Sequence, residues 1–98
     1  VVLSPALVDG LDGLRAGDPV IVVTWLHLAE RERLRVHPRD DPGRPLQGVF
    51  STRSADRPNP VGIHRATIVA IDGGHIRVDH LEAVDGTPVL DIKPDLGR

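Results

Sequence analysis

Apolar and polar residues alternate along much of this chain at the spacing that is typical of β-strands. The clearest strand is predicted over Val20–Leu28, nine residues rich in β-branched side chains. Both of its faces are largely apolar, which predicts a central position in a sheet, and His27 ends one face. Further strands are predicted over residues 33–37, 48–52, 63–71, 75–80 and 89–93. One face of the strand over 63–71 is expected to carry Ile63, Thr67, Val69 and Ile71.

Only one short helix is predicted. Ser4 and Pro5 are typical of a helix start, with Ser4 as the N-cap and Pro5 at the first helical position. Asp72-Gly73-Gly74 predicts a tight hairpin turn, and Pro38–Pro45 a proline-rich loop. Six short strands without intervening helices predict a mostly β fold, either a small, mostly antiparallel barrel or a sandwich.

Length and composition limit the possible classes of protein. The chain has 98 residues, so we expect one domain, residues 1–98, whose modest core favours a partner subunit. It has no cysteine, which excludes disulfides and thiolate zinc sites and fits an intracellular location. No apolar run is as long as a membrane span and no signal-peptide pattern is present, so we expect a soluble, cytoplasmic protein.

Charge is distributed unevenly along the sequence. The net charge of −2 argues against a general nucleic-acid binder. Residues 31–65 nevertheless hold eight arginines against four acidic residues, a local charge of +4, whereas residues 1–30 and 66–98 each sum to −3. Such a segment could steer a polyanion, although a solvated arginine-rich surface is the more common explanation.

Several familiar catalytic sites are absent from the sequence. No glycine-rich loop opens a helix after a strand, which excludes a P-loop and a dinucleotide fingerprint. The five histidines show no i, i+4 pairing on a helix, so no metal site is expected. No serine lies in a nucleophile elbow.

Two polar runs between rigid proline and glycine positions are the best candidates for a binding site, and the first is Phe50–Gly62. Its Arg57-Pro58-Asn59-Pro60 segment can be explained structurally as a rigid turn, with Asn59 extended because a proline follows it. Functionally, Arg53 and Arg57 could present two forked donors to a carboxylate, a phosphate or a flat base.

The second run is Leu81–Pro94. Asp91 and Lys93 lie two residues apart on one face of a strand and are expected to form an ion pair. Glu82, Asp85 and Asp91 also bring three carboxylates within ten residues. Such a cluster could bind ribose hydroxyls or a cationic ligand, or supply a base, although either run taken alone is more often structural.

The longest distinctive segments are Phe50-Ser51-Thr52-Arg53-Ser54, Arg57-Pro58-Asn59-Pro60-Val61-Gly62 and Asp85-Gly86-Thr87-Pro88-Val89-Leu90-Asp91-Ile92-Lys93-Pro94. With them the chain resembles the TsaA-like family, also called TrmO or YaeB, from about Leu11 to Pro94. The resemblance implies a small β-barrel with one short helix and proline-rich loops. It implies an S-adenosylmethionine-dependent methyltransferase acting on N6 of threonylcarbamoyladenosine at position 37, beside the tRNA anticodon. It also implies a homodimer with the cofactor site near the subunit interface.

The resemblance further implies which residues contact S-adenosylmethionine. The family's contacts match His27 and Leu28, Arg53, Ile63 through its backbone, and Glu82, Ala83, Val84 and Asp85. Family members usually begin with an additional strand and a Pro-Arg-Gln segment that touches the cofactor, and this sequence starts after that point. We therefore expect either a shorter branch of the family or a sequence without that segment. Leu28 occupies a position at which members of that family often have a polar residue.

The implied reaction is an in-line displacement, which needs two aligned reactants and a base for the N6 proton. Asp85 and Asp91 are the candidates for that base. Anticodon-loop RNA is expected to contact Arg31, Arg33, Arg35, Arg39, Arg57 and Asn59. Two alternatives stay open: a module that binds S-adenosylmethionine or a nucleotide without transferring methyl, and a methyltransferase that acts on a small molecule.

Overall fold

Four strands form an antiparallel sheet and two more form a separate ribbon. The computed structural model describes residues 1–81 and 86–97. The strands are β1 (Pro19–Trp25), β2 (Arg35–Val36), β3 (Gln47–Gly48), β4 (Val61–Asp72), β5 (His75–Val78) and β6 (Val89–Pro94). The sheet has the order β5-β4-β1-β6, and β2 pairs with β3. The prediction of a mostly β, antiparallel fold is confirmed.

The core lies on one face of this sheet. Val20, Val22 and Thr24 of β1 are buried, as the alternation along the predicted central strand requires. They face Ala66, His64 and Gly62 of β4 across the antiparallel register. The remaining buried members of this core are Leu11, Ile68 and Ile76.

A β-bulge separates Ile71 from the other residues that were predicted to share its face of β4. Ile63 and Val69, which were expected to share a face with Ile71, are 54% and 47% exposed. The register of β4 against β5 shifts between Ile68 and Ala70. An extra residue at a bulge inverts the alternation. Ile71, on the far side of the bulge, therefore packs against the core although Ile63 does not.

Four predicted strands end earlier than expected, and one of them, predicted over 75–80, ends at Val78. β1 ends at Trp25, because the Trp25 N–H donates to the Pro88 carbonyl and the next N–H, of Leu26, turns to the Pro60 carbonyl. His27 is therefore an exposed turn residue rather than the end of a core strand. The strand predicted over residues 48–52 is a two-residue strand followed by a 3₁₀ turn, Val49–Ser51. The strand predicted over 33–37 is reduced to Arg35–Val36.

The predicted short helix is a 3₁₀ helix, Pro5–Leu11. Pro5 occupies the first turn as expected, where its missing N–H costs nothing. Ser4 precedes it but makes no side-chain capping bond. Leu11 ends the helix and is buried in the core, so the helix is attached to the sheet by its last residue.

Within residues 1–81 and 86–97 the sheet is open, and the predicted closed barrel is not found. β5 and β6 are its outer strands and do not pair with each other. The N-terminal residues cover the edge of β5 instead, since Val2 bridges to His75 and the Ile76 N–H donates to the Val1 carbonyl at 2.8 Å. No helix in this described part has the length and apolar character of a membrane span.

Candidate functional site

The loop of residues 49–60, which connects the ribbon to β4, is built from local side-chain hydrogen bonds. The Thr52 hydroxyl donates to the Val49 carbonyl at 2.9 Å and accepts the Ser54 N–H at 3.1 Å. The Ser54 hydroxyl in turn accepts the Asp56 N–H at 3.3 Å. Threonine and serine stabilise turns in this way. The polar run found in the sequence is therefore an ordered loop.

Arg57 stabilises the 49–60 loop by hydrogen bonds to its backbone. Its guanidinium donates to the carbonyls of Thr52 at 3.1 Å, Ser54 at 3.2 Å and Val49 at 3.0 Å. It also lies 5.9 Å from the centre of the Phe50 ring. Three hydrogen bonds from a charged donor hold the loop in one conformation. Arg57, predicted to contact RNA, thus has a structural role in the loop.

Gly62 lets the end of this loop approach the core closely. Thr24 Oγ1 and His64 Nε2 share a hydrogen bond of 2.9 Å directly beside it. A Cβ atom at position 62 would lie 2.5 Å from that hydroxyl and 2.9 Å from that ring nitrogen. Only glycine fits here, which gives a physical reason for the Pro-Asn-Pro-Val-Gly sequence.

Two grooves border the 49–60 loop. The first, called here the Phe50 groove, has a volume of about 480 Å³. Its apolar wall includes Leu26, Phe50 and Ile63, and its polar wall Arg53, Asn59 and His64. None of the described residues that line it is a carboxylate. The Phe50 groove therefore combines apolar surface with positive charge.

The second groove, called here the Arg39 groove, has a volume of about 490 Å³. Arg39, Arg44 and Arg53 line it together with Asp40 and Asp56. Arg53 therefore borders both grooves. Because the Arg39 groove carries carboxylates, its positive charge is partly compensated.

A smaller pocket of about 230 Å³, called here the His27 pocket, adjoins both grooves. It is lined by His27 and Leu28 of the turn after β1 and by Ala55 and Asp56 of the loop. Leu26 is common to this pocket and the Phe50 groove. The predicted cofactor residues in the described ranges thus lie around one loop. Glu82, Ala83, Val84 and Asp85 lie outside the described residues.

The predicted RNA-contacting arginines divide into engaged and free side chains. Arg31 donates to the Pro58 carbonyl at 2.9 Å and lies over the Trp25 ring, and Arg33 pairs with Glu30 at 2.7 Å. Within residues 1–81 and 86–97, no side-chain hydrogen bond or ion pair engages the exposed guanidinium groups of Arg35, Arg39 and Arg53. These three are available to an external anion.

Asp91 lies on β6, opposite Val23 of β1. Its carboxylate pairs with Lys93 at 3.1 Å, as the sequence predicts. This hydrogen bond from Lys93, together with that from the Ile92 N–H at 2.8 Å, lowers the pKa of the Asp91 carboxyl. A lowered pKa makes a carboxylate a weaker base. The Asp91 environment is therefore that of a surface ion pair.

Two residues of the Phe50 groove had no role assigned from the sequence. Phe50, the only phenylalanine, is 76% exposed although it is large and apolar. Its position at the head of the polar run was the available signal. His64 faces the core side of β4, and that position could be recognised only with the correct alternation along the strand.

Comparison with known proteins places these features in a family. A family model described as the tRNA-methyltransferase O N-terminal domain matches residues 1–97. A probable S-adenosyl-L-methionine-binding protein of Methanocaldococcus jannaschii is 47% identical over 90 residues, covering 88% of this chain and 71% of the relative. Another, of Methanothermobacter thermautotrophicus, is 49% identical over 92 residues, covering 94% of this chain and 65% of the relative.

Solved structures agree with the sequence matches. The crystal structure of TrmO from Pseudomonas aeruginosa superposes with a TM-score of 0.74 at 30% sequence identity. The match covers 97% of this chain and 40% of that chain. The chain therefore spans less than half the length of the solved protein that it matches.

Proposed function

The chain belongs to the tRNA-methyltransferase O N-terminal domain family, and on that basis we propose that it methylates N6 of threonylcarbamoyladenosine at tRNA position 37. Its cofactor is S-adenosylmethionine, which the relatives from both archaea are named for binding. A tRNA substrate also implies action in the cytoplasm. The substrate rests on the family resemblance, and the features of the 49–60 loop support it.

One observation carries the cofactor assignment: Arg53 lies on a rigid loop between two grooves, and within the described residues no side chain pairs with it. A guanidinium is suited to the carboxylate of the methionine part of the cofactor. Leu26 and Ile63 offer apolar surface to its adenine. A groove of about 480 Å³ is also within the usual size range of small-molecule sites. The described residues of this groove therefore fit the carboxylate and the adenine of the cofactor.

The residues proposed to hold S-adenosylmethionine are Arg53 and Ile63 of the Phe50 groove, His27 and Leu28 of the His27 pocket, and the segment over residues 82–85. When bound, the cofactor supplies an electrophilic methyl group on a sulfonium. The chain itself orients the two reactants, because the adenine N6 is a poor nucleophile and alignment lowers the barrier. The 49–60 loop suits this task since Arg57 fixes its backbone.

A base must accept the N6 proton as the new carbon–nitrogen bond forms. Of the two proposed carboxylates, Asp91 is engaged by Lys93 and has a lowered pKa. We therefore propose Asp85 as the first candidate and Asp91 as the second. Asp85→Asn is expected to lower kcat while leaving RNA affinity unchanged, and Asp91→Asn to change kcat little.

Anticodon-loop RNA is proposed to contact the basic segment. Arg35 and Arg39 have guanidinium groups that no side chain of the described residues engages, and Asn59 lines the Phe50 groove together with Arg53. Arg31, Arg33 and Arg57 contribute charge although internal contacts engage them. Phosphate contacts of this kind position the RNA without reading its sequence.

A homodimer is part of the proposal. Val61 and Ile63 are 41% and 54% exposed on the outer face of β4, beside half-buried Trp25 and Val23 of β1. A second copy packed on this face would cover apolar surface next to the Phe50 groove. Sedimentation at micromolar concentration should give a dimer for the wild type and a monomer for Val61→Glu. A wild-type monomer with cofactor bound would contradict this assembly.

A binding module without transfer activity is the second candidate. It is favoured because the curated relatives are named as binding proteins. This candidate predicts cofactor binding with no methylated product under any condition.

The test is methyl transfer to tRNA from a strain whose threonylcarbamoyladenosine lacks the N6-methyl group. Protein, tRNA and methyl-labelled cofactor are incubated, and the RNA is digested to nucleosides. Label on the N6-methyl of threonylcarbamoyladenosine is the expected result. If the cofactor binds but that nucleoside stays unlabelled, the substrate assignment is wrong and the binding module takes its place.

A further inference from the structure

Phe50 is an exposed aromatic ring on a rigid loop. It is 76% exposed, in the 3₁₀ turn Val49–Ser51. Ordinary core packing does not explain it, because the buried residue of that turn is its neighbour Val49. Isolated apolar residues on a surface are common and need no explanation. Phe50 differs in that it lines a groove and has an arginine against its ring.

The two aromatic residues of the chain show what is unusual about Phe50. Each has a guanidinium near its ring, Arg31 at 5.1 Å from the Trp25 centroid and Arg57 at 5.9 Å from the Phe50 centroid. Trp25 is half-buried in addition, whereas most of the Phe50 surface is open to solvent. Phe50 thus has a supported ring with area left for a ligand.

The surroundings of Phe50 indicate the kind of ligand. Arg53, Arg57 and His64 line the same groove, and no carboxylate is among the described residues that line it. Arg53 has no ion-pair partner in the part of the chain that the structure describes, and it also borders the Arg39 groove. A flat ring beside cationic side chains is typical of sites for single-stranded nucleic acid, where bases stack on aromatic rings while arginines attract the phosphates.

We infer that Phe50 is a stacking platform for one unpaired nucleobase of the RNA substrate. This inference rests on the proposed tRNA function and adds the residue that positions the single strand. A base stacked on Phe50 would hold the strand at the entrance to the groove in which the predicted cofactor contacts Arg53 and Ile63 lie. Alignment of this kind is what a methyl transfer to a weak nucleophile needs.

The variants Phe50→Ala, Phe50→Trp and Leu96→Ala test this inference. Leu96 is a matched control because it is 68% exposed. It follows β6 and lies far from the Phe50 groove along the sheet. Its neighbour Asp95 donates its N–H to the Pro19 carbonyl, at the opposite end of β1 from Trp25. The probe is an anticodon stem-loop RNA with 2-aminopurine in the loop beside position 37. Its fluorescence falls when the base stacks, so binding and stacking are measured together.

Phe50→Ala is expected to weaken RNA binding by about five- to one-hundred-fold and to abolish the fluorescence change on binding. Phe50→Trp should retain both, and Leu96→Ala should match the wild type. The slope of RNA affinity against salt should stay unchanged in Phe50→Ala, because no charge is removed. Calorimetric affinity for S-adenosylmethionine should also stay unchanged.

Two results would overturn the inference. If Phe50→Ala binds the RNA as the wild type does, no base stacks on this ring, and the proposed methyl transfer can still hold. If Phe50→Ala instead loses cofactor affinity with RNA affinity intact, the ring contacts the cofactor. The labelling assay separates failure of this inference from failure of the proposed function. If the wild type methylates tRNA and Phe50→Ala does so equally well, only the inference fails.

Discussion

The Phe50 groove and the Arg39 groove are alike in size and share Arg53, yet they differ in chemistry. Their volumes are about 480 and 490 Å³. The Phe50 groove has an apolar wall and no carboxylate in its described lining, whereas the Arg39 groove places Asp40 and Asp56 among its arginines. The first is therefore suited to an aromatic ligand that carries negative charge, whereas carboxylates in the second partly compensate its positive charge. The local charge of +4 in the sequence did not distinguish these two surfaces.

Arg57→Ala should have the largest effect on the Phe50 groove. It removes three hydrogen bonds to loop carbonyls, so we expect a loss of about 2–3 kcal/mol in the free energy of unfolding. Cofactor affinity should fall with it, because the loop that carries Arg53 loses its support. Denaturant unfolding and calorimetry measure the two effects. Arg53→Ala is the control, with stability within about 0.5 kcal/mol of the wild type. Equal stabilities for both variants would show that Arg57 does not support the loop.

Gly62→Ala tests how the Phe50 groove is joined to the core. The new methyl group would lie 2.5 Å from Thr24 Oγ1, so we expect destabilisation by about 1–3 kcal/mol. Gly10→Ala is the matched control, because nothing lies within 4 Å of its Cβ position, and it should be neutral or slightly stabilising. Similar unfolding midpoints for the two variants would contradict the close approach at Gly62.

Arg53→Ala tests whether the arginine shared by both grooves serves the cofactor. We expect affinity for S-adenosylmethionine to fall about tenfold to one-hundredfold, since a charged hydrogen bond is lost. Arg77→Ala, an exposed variant in β5, should bind like the wild type. Asp85→Ala is expected to weaken S-adenosylmethionine binding as Arg53→Ala does, because both residues are predicted cofactor contacts. Unchanged calorimetric binding in both site variants would mean that the family's contact positions do not carry over.

Arg39→Ala and Arg33→Ala test whether an arginine without an internal partner contributes more to RNA binding than a paired one. Arg39 has no partner in the described residues, whereas Arg33 pairs with Glu30 at 2.7 Å. Arg39→Ala should therefore weaken RNA binding several-fold and reduce its salt dependence by about 0.7 in the logarithmic slope. Arg33→Ala should do less, and neither should alter cofactor affinity. An effect of Arg33→Ala as large as that of Arg39→Ala would show that the internal pair does not matter.

The smallest expected effect is the titration of Asp91. Lys93 and the Ile92 N–H lower its pKa, so an NMR titration should place its midpoint below the ordinary value of 3.8. A lowered folded pKa gives a stabilisation that is present above the unfolded pKa and lost as pH falls through the folded pKa. Lys93→Ala should move the midpoint back toward 3.8. A midpoint near neutrality would instead favour Asp91 as the catalytic base.

The sequence was sufficient where local chemistry decides the structure. The β-branched run of β1 predicted the buried Val20 and Val22, and the motifs around Arg53 predicted the family, which is confirmed. The alternation placed Ile71 on the same face as Ile63 and Val69, because the bulge between Ile68 and Ala70 depends on pairing with β5. The different roles of Arg53 and Arg57 were not predictable either. Both lie in one polar run, where Arg53 precedes Ser54 and Arg57 precedes Pro58. Only the folded loop directs the Arg57 guanidinium inward.

A calorimetric titration of the chain with S-adenosylmethionine is the decisive experiment, because every step of the proposed function requires that binding. We predict saturable binding at one site per chain, lost or strongly weakened in Arg53→Ala and retained in Arg77→Ala. S-adenosylhomocysteine should compete for the same site. No heat of binding for the folded wild type, or equal binding by Arg53→Ala, would contradict the assignment of the 49–60 loop as the cofactor site.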